Sequence, residues 1–414
     1  MSGCVPGVEW WRCGCRPPLA LRHHFVCVSG DVAIVVPSGE KATLSTVPPH
    51  SFACARALFM NEEEAKRLLT ACLPRFSQAG LPPLAATEIV GVAATAIASL
   101  WAGMGSVYRL SAKTKRGDVS IVAKRVELPQ RCSSIGDQRK KDSYDVEAAF
   151  YSRGHAERLL SAGAIVPTPL HVETSRGENV TICMTRLEGR SSHRGDSAAF
   201  VSWLAKLHAA YWGSERADAA VESGLQAQGT YWHLDTRPEE HARMGSGGWI
   251  GRLKLAARAI DLRLKADPMQ AVCHGDAKGA NILYCTGEGG EAVPLVYDFQ
   301  YCGKGCVAKD LAYFFNVEAS ASEEQALLRR YHAELSGLLR AQGDSPPSLE
   351  ALQEAHEIAL ADWRRFSEVG LGGWGDGRAT RRVVALLDRL DGGKALASEE
   401  AYVEAMRREF PVEG

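Results

Sequence analysis

The spacing of hydrophobic and polar positions changes character along this chain, and each change marks a new kind of structure. Residues 1–60 show no periodicity: Pro, Gly and Cys are frequent, and the apolar run Phe25–Val36 is broken by Gly30 and Asp31. No fold is predicted there. Asn61 then stands as N-cap to a helix over Glu62–Leu73, with Glu62, Glu63 and Glu64 at its positive end and Pro74 to stop it. From Thr87 the pattern becomes strand-like, and the turn-forming segment Lys113–Asp118 between Ser106–Ala112 and Val119–Leu128 predicts a hairpin. A helix is expected near Asp142–Ala162, a turn at Val166–Pro169, then strands around Leu170–Glu173 and Asn179–Leu187.

Beyond Gly189 the period is helical. Helices are predicted over Ser197–Trp212, Gly248–Lys265, Glu323–Ala341, Leu349–Val369, Arg378–Leu390 and Ser398–Phe410. Two short apolar strands, Ile282–Cys285 and Pro294–Tyr297, interrupt them, with Gly287–Gly290 as a hairpin tip. The chain therefore divides into an unassigned stretch 1–60, a strand-rich part 61–187 and a helical part 188–414.

Composition narrows the picture. With 414 residues, 46% of them hydrophobic, the chain can bury a large core. Its 48 basic and 49 acidic residues balance, and no basic patch with interleaved aromatics appears, so no nucleic-acid partner is expected. The uncharged stretch Ile89–Tyr108 is long enough to cross a bilayer, but it is rich in Ala, Gly, Ser and Thr; strand, loop and strand are predicted instead of a membrane span. Twelve cysteines are scattered without CxxC pairs, and Cys273, Cys285, Cys302 and Cys306 match no common zinc spacing. Free thiols and a reducing, cytoplasmic setting are expected. An organelle-targeting leader in residues 1–60 stays open beside the preferred reading, a disordered extension with Met60 as the true start.

The chemistry concentrates in two segments. His274, Asp276 and Asn281 follow the spacing H-x-D-x-x-x-x-N, and Asp298 ends an apolar strand shortly after. One carboxylate on such a loop can accept a hydroxyl proton, while an amide oxygen and a second carboxylate can bind a hard cation. Upstream, Lys124 lies mid-strand in an apolar context where an unpaired ammonium is costly, so a carboxylate partner is expected.

Four further segments occur in order with these: Trp101–Arg109, Ile121–Val126, Ser143–Tyr151 and Leu204–Ala209. Together they make the chain resemble the protein-kinase-like superfamily, and within it the small-molecule kinases: aminoglycoside phosphotransferases, choline and ethanolamine kinases, and especially the ecdysteroid-kinase-like (CHK kinase-like) group. The resemblance spans about residues 88 to 370. It implies an α+β, bilobal protein-kinase-like fold, with an antiparallel sheet and one main helix in the N-terminal lobe and a larger, mainly helical C-terminal lobe. It implies a phosphotransferase that uses ATP and Mg²⁺ to phosphorylate a hydroxyl of a small molecule.

Carried over residue by residue, Asp276 is the expected base, and Asn281 and Asp298 the metal ligands. Lys124, paired with Glu147, would hold the nucleotide phosphates; Gly103, Gly105 and Ser106 would cover them, although Tyr108 stands where a third glycine is usual. Lys278 would touch the transferred phosphate, and Met184 to Leu187 would flank adenine. Asp310 resembles the aspartate that braces the catalytic loop, and His208 a structural core histidine. Gln300 replaces the glycine of the protein-kinase D-F-G, which argues against a flipping segment. The acceptor is expected among Trp363, Arg364, Arg365 and Phe366, with Trp212, Tyr231 and Trp232. Two alternatives remain: an inactive nucleotide-binding protein on the same fold, and a protein kinase, for which Tyr301–Lys309 leaves no room for an activation loop.

Overall fold

A computed structural model describes residues 60–100, 103–128, 134–175, 179–193, 195–370 and 377–412. The chain divides into two units, Met1–Phe59 and Met60–Gly414, and everything described belongs to the second. The leader expected in residues 1–60 thus lies, Met60 excepted, outside the described residues, as do Trp101 and Ala102.

Helix α1 (Glu62–Cys72) begins where its sequence dictates, Asn61 Oδ1 accepting from the Glu64 N–H at 2.8 Å. Five antiparallel strands follow: β1 (Ile89–Ser99), β2 (Gly105–Thr114), β3 (Gly117–Glu127), β4 (Pro169–Ser175) and β5 (Asn179–Thr185), in sheet order β1-β2-β3-β5-β4. Within the stretch Ile89–Tyr108, Ile89–Ser99 and the residues from Gly105 on are therefore strand; no helix among the described residues is long and apolar enough to cross a membrane. Alternation sorts the two faces of β3. Ile121 and Ala123 pack with Tyr108, Leu110 and Cys183 against Leu68, Leu69 and Cys72 of α1, forming one core. Val126 and Lys124 lie on the other face, which meets the rest of the molecule.

The expected helix near Asp142–Ala162 is two. α2 (Ile135–Ser152) starts seven residues earlier, at a capping box between Ser134 and Asp137, and α3 (His155–Ser161) follows a break at Gly154, whose φ of 85° only glycine adopts without strain.

The helical part comprises α4 (Ser197–Ala210), α5 (Ser214–Glu222), α6 (Pro238–Ala242), α7 (Gly248–Ala266), α8 (Ala308–Val317), α9 (Ala321–Gln342), α10 (Leu349–Gly370), α11 (Gly377–Asp391) and α12 (Glu399–Glu409). Set into it are two small antiparallel pairs, β6 (Gln270–Cys273) with β9 (Gly303–Cys306), and β7 (Ile282–Thr286) with β8 (Ala292–Val296). The segment 274–281 leaves β6 and enters β7, so two strand ends pin the loop that carries His274, Asp276 and Asn281. A single core runs from Val126 of the sheet through Phe150 and Phe299 to Phe410. The fold is α+β, a five-stranded antiparallel sheet followed by a larger, mostly helical part.

Candidate active site

Lys124 is 7% exposed, and its ammonium is held by two carboxylates. Its Nζ lies 2.5 Å from Glu147 Oε2 of α2 and 3.1 Å from Asp298 Oδ1. Burial opposes its charge, but Asp298 and Glu147 outweigh it and raise the lysine above its ordinary value. Asp298 is likewise held below the ordinary carboxylate value, Lys124 prevailing over burial. Neighbouring Arg125 points to the opposite face and pairs with Glu64 at 2.8 Å.

Asp298 has φ 69°, rare for a residue with a side chain. Its conformation is secured on both sides. Gln300 Nε2 donates to Asp298 Oδ1 at 2.7 Å, and Gln300 Oε1 accepts from Lys140 and Ser143 of α2 at 3.1 and 3.3 Å. Phe299 stacks on Phe150 of α2 with ring centres 3.8 Å apart and planes 6° from parallel.

The loop bearing Asp276 hangs on Asp310 of α8, which accepts from the His274 N–H at 2.6 Å and the Gly275 N–H at 3.0 Å. His208 completes this buried group, its ring nitrogens 2.7 Å from the Tyr331 hydroxyl and 3.3 Å from Asp310. His208, Cys273 and Asp310 form the one cluster of potential metal ligands among the described residues, but these bonds already occupy the histidine and the aspartate. The four crowded cysteines are free thiols. At Gly275, φ 83°, any Cβ would collide with the Tyr301 carbonyl, so the loop requires glycine there.

Asp276 is 4% exposed, and both its oxygens are engaged. Tyr313 OH donates to Oδ1 at 3.1 Å; Asn281 Nδ2 donates to Oδ2 at 2.9 Å; Lys278 Nζ lies 2.9 Å from Oδ2. Burial raises the carboxyl above its ordinary value, and Lys278 works against that rise. Tyr313 was not foreseen from the sequence: within Leu311–Phe315 it reads as one more core aromatic.

A cavity of about 1440 Å³ lies between sheet and helices, lined by Lys124, Glu147, Asp276, Lys278 and Asp298. Met184, Thr185, Arg186 and Leu187 form one wall; Tyr231, Arg237, Tyr301 and Phe366 line another part. Asn281 is buried beside Asp276 without lining the cavity. Of the glycine-loop residues, Met104 lines it, whereas Gly103, Gly105 and Ser106 do not. Ser106 corrects the expectation of a phosphate-covering hydroxyl. In β2 it alternates with Val107, which pairs with Lys124 and faces the cavity, so the Ser106 side chain is buried on the opposite face with Tyr108. Trp232 and Trp363 are fully buried and pack edge to face, and Trp212 is not on the wall, so none of the three contributes an aromatic surface. Arg365 is likewise buried, held by Asp362 at 2.8 Å, and Arg364 lies outside the lining.

A model of the phosphotransferase enzyme family (APH) matches residues 137–343, half of the chain. Similar solved structures include the ethanolamine kinase of Plasmodium vivax, at 13% identity over 89% of this chain and 98% of that one with a TM-score of 0.43. A choline/ethanolamine kinase family protein of Mesorhizobium loti shares 15% identity over 81% and 98%, TM-score 0.39. The choline kinase of Streptococcus pneumoniae shares 12% over 72% and 94%, TM-score 0.39. No curated protein sequence matches the chain. The segments bearing Glu147, Asp276, Asn281 and Asp298 all fall within the matched family span, and the chain belongs to the phosphotransferase enzyme family, small-molecule kinases of the protein-kinase-like superfamily.

Proposed function

We propose that the protein transfers the terminal phosphoryl group of ATP, with Mg²⁺, to a hydroxyl of a small molecule, with Asp276 as the base. The observation that carries this reading is Lys124 fixed between Glu147 and Asp298 on the cavity wall that Asp276 also lines. An ammonium so placed can hold nucleotide phosphates, and a buried carboxylate whose proton affinity is raised can take a hydroxyl proton near neutral pH.

The donor set suits a hard cation. Asp298 offers carboxylate oxygen, and Asn281, whose Nδ2 is turned to Asp276, has its amide oxygen left for a ligand. Bound Mg²⁺ would neutralise phosphate charge. The acceptor oxygen forms its bond to phosphorus as the bond from phosphorus to the β-bridging oxygen breaks; ADP leaves with that electron pair, and the hydroxyl proton passes to Asp276. Tyr313 and Asn281 hold the carboxylate in position for that proton. Lys278, paired with Asp276 before substrate arrives, would turn to the transferred group. Met184 to Leu187 supply the adenine wall; the Gly103 N–H is already given to the Leu100 carbonyl at 3.2 Å, so for the glycine loop we retain only the backbone N–H groups of Gly105 and Ser106 as phosphate donors. The nucleotide side is assigned to residues 61–187 and the acceptor side to 188–414.

The test is Mg²⁺-dependent ADP release across choline, ethanolamine, aminoglycosides, sugars and hydroxysteroids, with Asp276→Asn as control. Acceptor-stimulated turnover abolished in the variant supports the reading. Absence both of turnover and of any rise in Tm with ATP and Mg²⁺ overturns it.

A further inference from the structure

The part of the cavity beyond Asp276 has a composition of its own. Tyr231, Tyr301 and Phe366 wall it, with the Tyr231 ring centre 5.3 Å from Tyr301 and 5.4 Å from Phe366. Tyr231 joins this wall to the base, its hydroxyl 3.2 Å from that of Tyr313, which bonds Asp276. Over the wall lies Arg237, its guanidinium 5.1 Å from the Phe366 ring centre and 6.0 Å from Tyr231. Arg139 of α2 lines the same cavity, and its Nη1 is buried without a hydrogen-bond partner.

Two more polar groups there lack partners. Thr230 Oγ1 and His233 Nδ1 belong to side chains at least nine-tenths buried, and both residues line the cavity. Thr230 has φ 83°, a costly conformation for a β-branched residue, held in part by its N–H bond to the Tyr301 carbonyl at 3.0 Å. Orphaned buried donors and backbone strain collect where a ligand completes the site.

The carboxylates on the cavity wall all have partners. Glu147 and Asp298 are ion-paired with Lys124, while Asp137 and Asp142 accept from neutral donors, the Ser134 N–H at 3.1 Å and the Gln138 amide at 2.7 Å. Glu240 takes one nitrogen of Arg237 at 3.3 Å but does not line the cavity. Burial and the nearby charge of Arg237 lower Arg139, outweighing the opposing pull of Glu240 and Glu239.

We propose that this chamber accepts an alcohol with an apolar, preferably aromatic body and an anionic group remote from the reacting hydroxyl, the anion lying between Arg139 and Arg237. This rests on the assignment of Asp276 as the base. A cationic amino alcohol would find aromatic faces there but also two guanidinium groups, and every carboxylate of the wall, Asp276 included, already accepts a hydrogen bond or ion pair.

Three probes of one shape test it: para-(hydroxymethyl)benzoate, para-(aminomethyl)benzyl alcohol and benzyl alcohol. Each is measured by ADP release with ATP and Mg²⁺ and by binding to the ATP-loaded protein. The hydroxy acid is expected to bind about tenfold more tightly than the amine, the size of one charge-assisted contact. Arg139→Gln and Arg237→Gln should each erode that preference while leaving the rise in Tm with ATP and Mg²⁺ intact. Equal or better binding of the amine, no binding of any probe, or variants that weaken ATP instead of the hydroxy acid would each overturn the proposal. If the ATP-dependent rise in Tm is itself missing in the wild-type protein, the phosphotransferase reading fails first; if it is present without a charge preference, only this inference fails.

Discussion

Tyr313 donates its hydroxyl hydrogen to Oδ1 of Asp276 across 3.1 Å, and it stands one helical turn after Asp310, the residue that anchors the loop on which Asp276 sits. One face of α8 therefore fixes both the backbone and the carboxylate of that loop. Tyr313→Phe removes the second function alone. A hydrogen bond to a charged group contributes about 1.5–3 kcal/mol, so kcat should fall about tenfold or more with little change in KM for ATP. Steady-state kinetics over both substrates checks this; an unchanged kcat would remove Tyr313 from the site.

The raised proton affinity of Asp276 fixes the direction of two pH effects. The acid limb of kcat/KM should lie above the ordinary aspartate value of 3.8. Lys278 works against the rise, so Lys278→Met should move that limb to still higher pH. A carboxyl with a raised folded value contributes stability below its unfolded value and loses it as pH rises through the folded one. At pH 7, Asp276 is thus a burden on stability. Asp276→Asn should abolish turnover yet give a Tm at pH 7 equal to or above wild type, measurable by thermal melts.

Glu147→Ala leaves Lys124 paired with Asp298 alone of the two carboxylates that hold it. Breaking a buried pair from one side costs about 3–5 kcal/mol, so the variant should melt well below wild type. At a temperature where it remains folded, its KM for ATP should rise. Denaturant melts alongside ATP titration separate the two effects.

The glycine loop predicts a contrast. Gly103 (φ 72°) has open space where a Cβ would go, whereas at Gly105 (φ 123°) a Cβ would strike the Arg125 carbonyl in β3. Gly103→Ala should cost about 1–2 kcal/mol, the conformational penalty alone. Gly105→Ala should cost more, because the β2–β3 pairing must shift, and the two Tm values should separate accordingly.

Asp362 of α10 is held at about 2 by Lys309 and Arg365 against the opposing effect of burial. A depressed carboxylate contributes stability that is complete above its unfolded value and is lost as pH falls through the folded one. The window here runs from about 4 down to about 2, with roughly 2 kcal/mol at stake. Asp362→Asn should therefore flatten the stability profile in that window and lower Tm at pH 7.

Residues with a local or pairwise signal were legible in the sequence. Asn61 announced α1, the turn at Lys113–Asp118 announced β2 and β3, and an ammonium in mid-strand required the partner it finds in Glu147. Features that depend on distant register were not. Which face Ser106 takes follows from the Val107–Lys124 pairing. The four-residue strands β6 and β9 pair across more than 25 intervening residues, and β9 also bridges Gln226, so neither shows in its own short sequence. Gly154 falls inside the single helix expected near Asp142–Ala162, and its φ of 85° is what separates α2 from α3. Tyr313, Thr230 and Arg237 carry no local motif; only folding brings Tyr313 to Asp276 and places Thr230 and Arg237 on the cavity that Asp276 lines.

The near-parallel contact of Phe299 on Phe150 has a mechanical consequence. Together with Gln300 bound to Lys140 and Ser143, it fastens α2 to the segment that follows β8, so helix and segment move as one piece. Lys124 of β3 is bound to Glu147 and Asp298, and β3 pairs with β5, which ends at the Met184 wall, so the sheet is tied to the same piece. The charged side of the cleft and the wall at Met184 are thereby coupled, and the cleft would keep its shape from one turnover to the next.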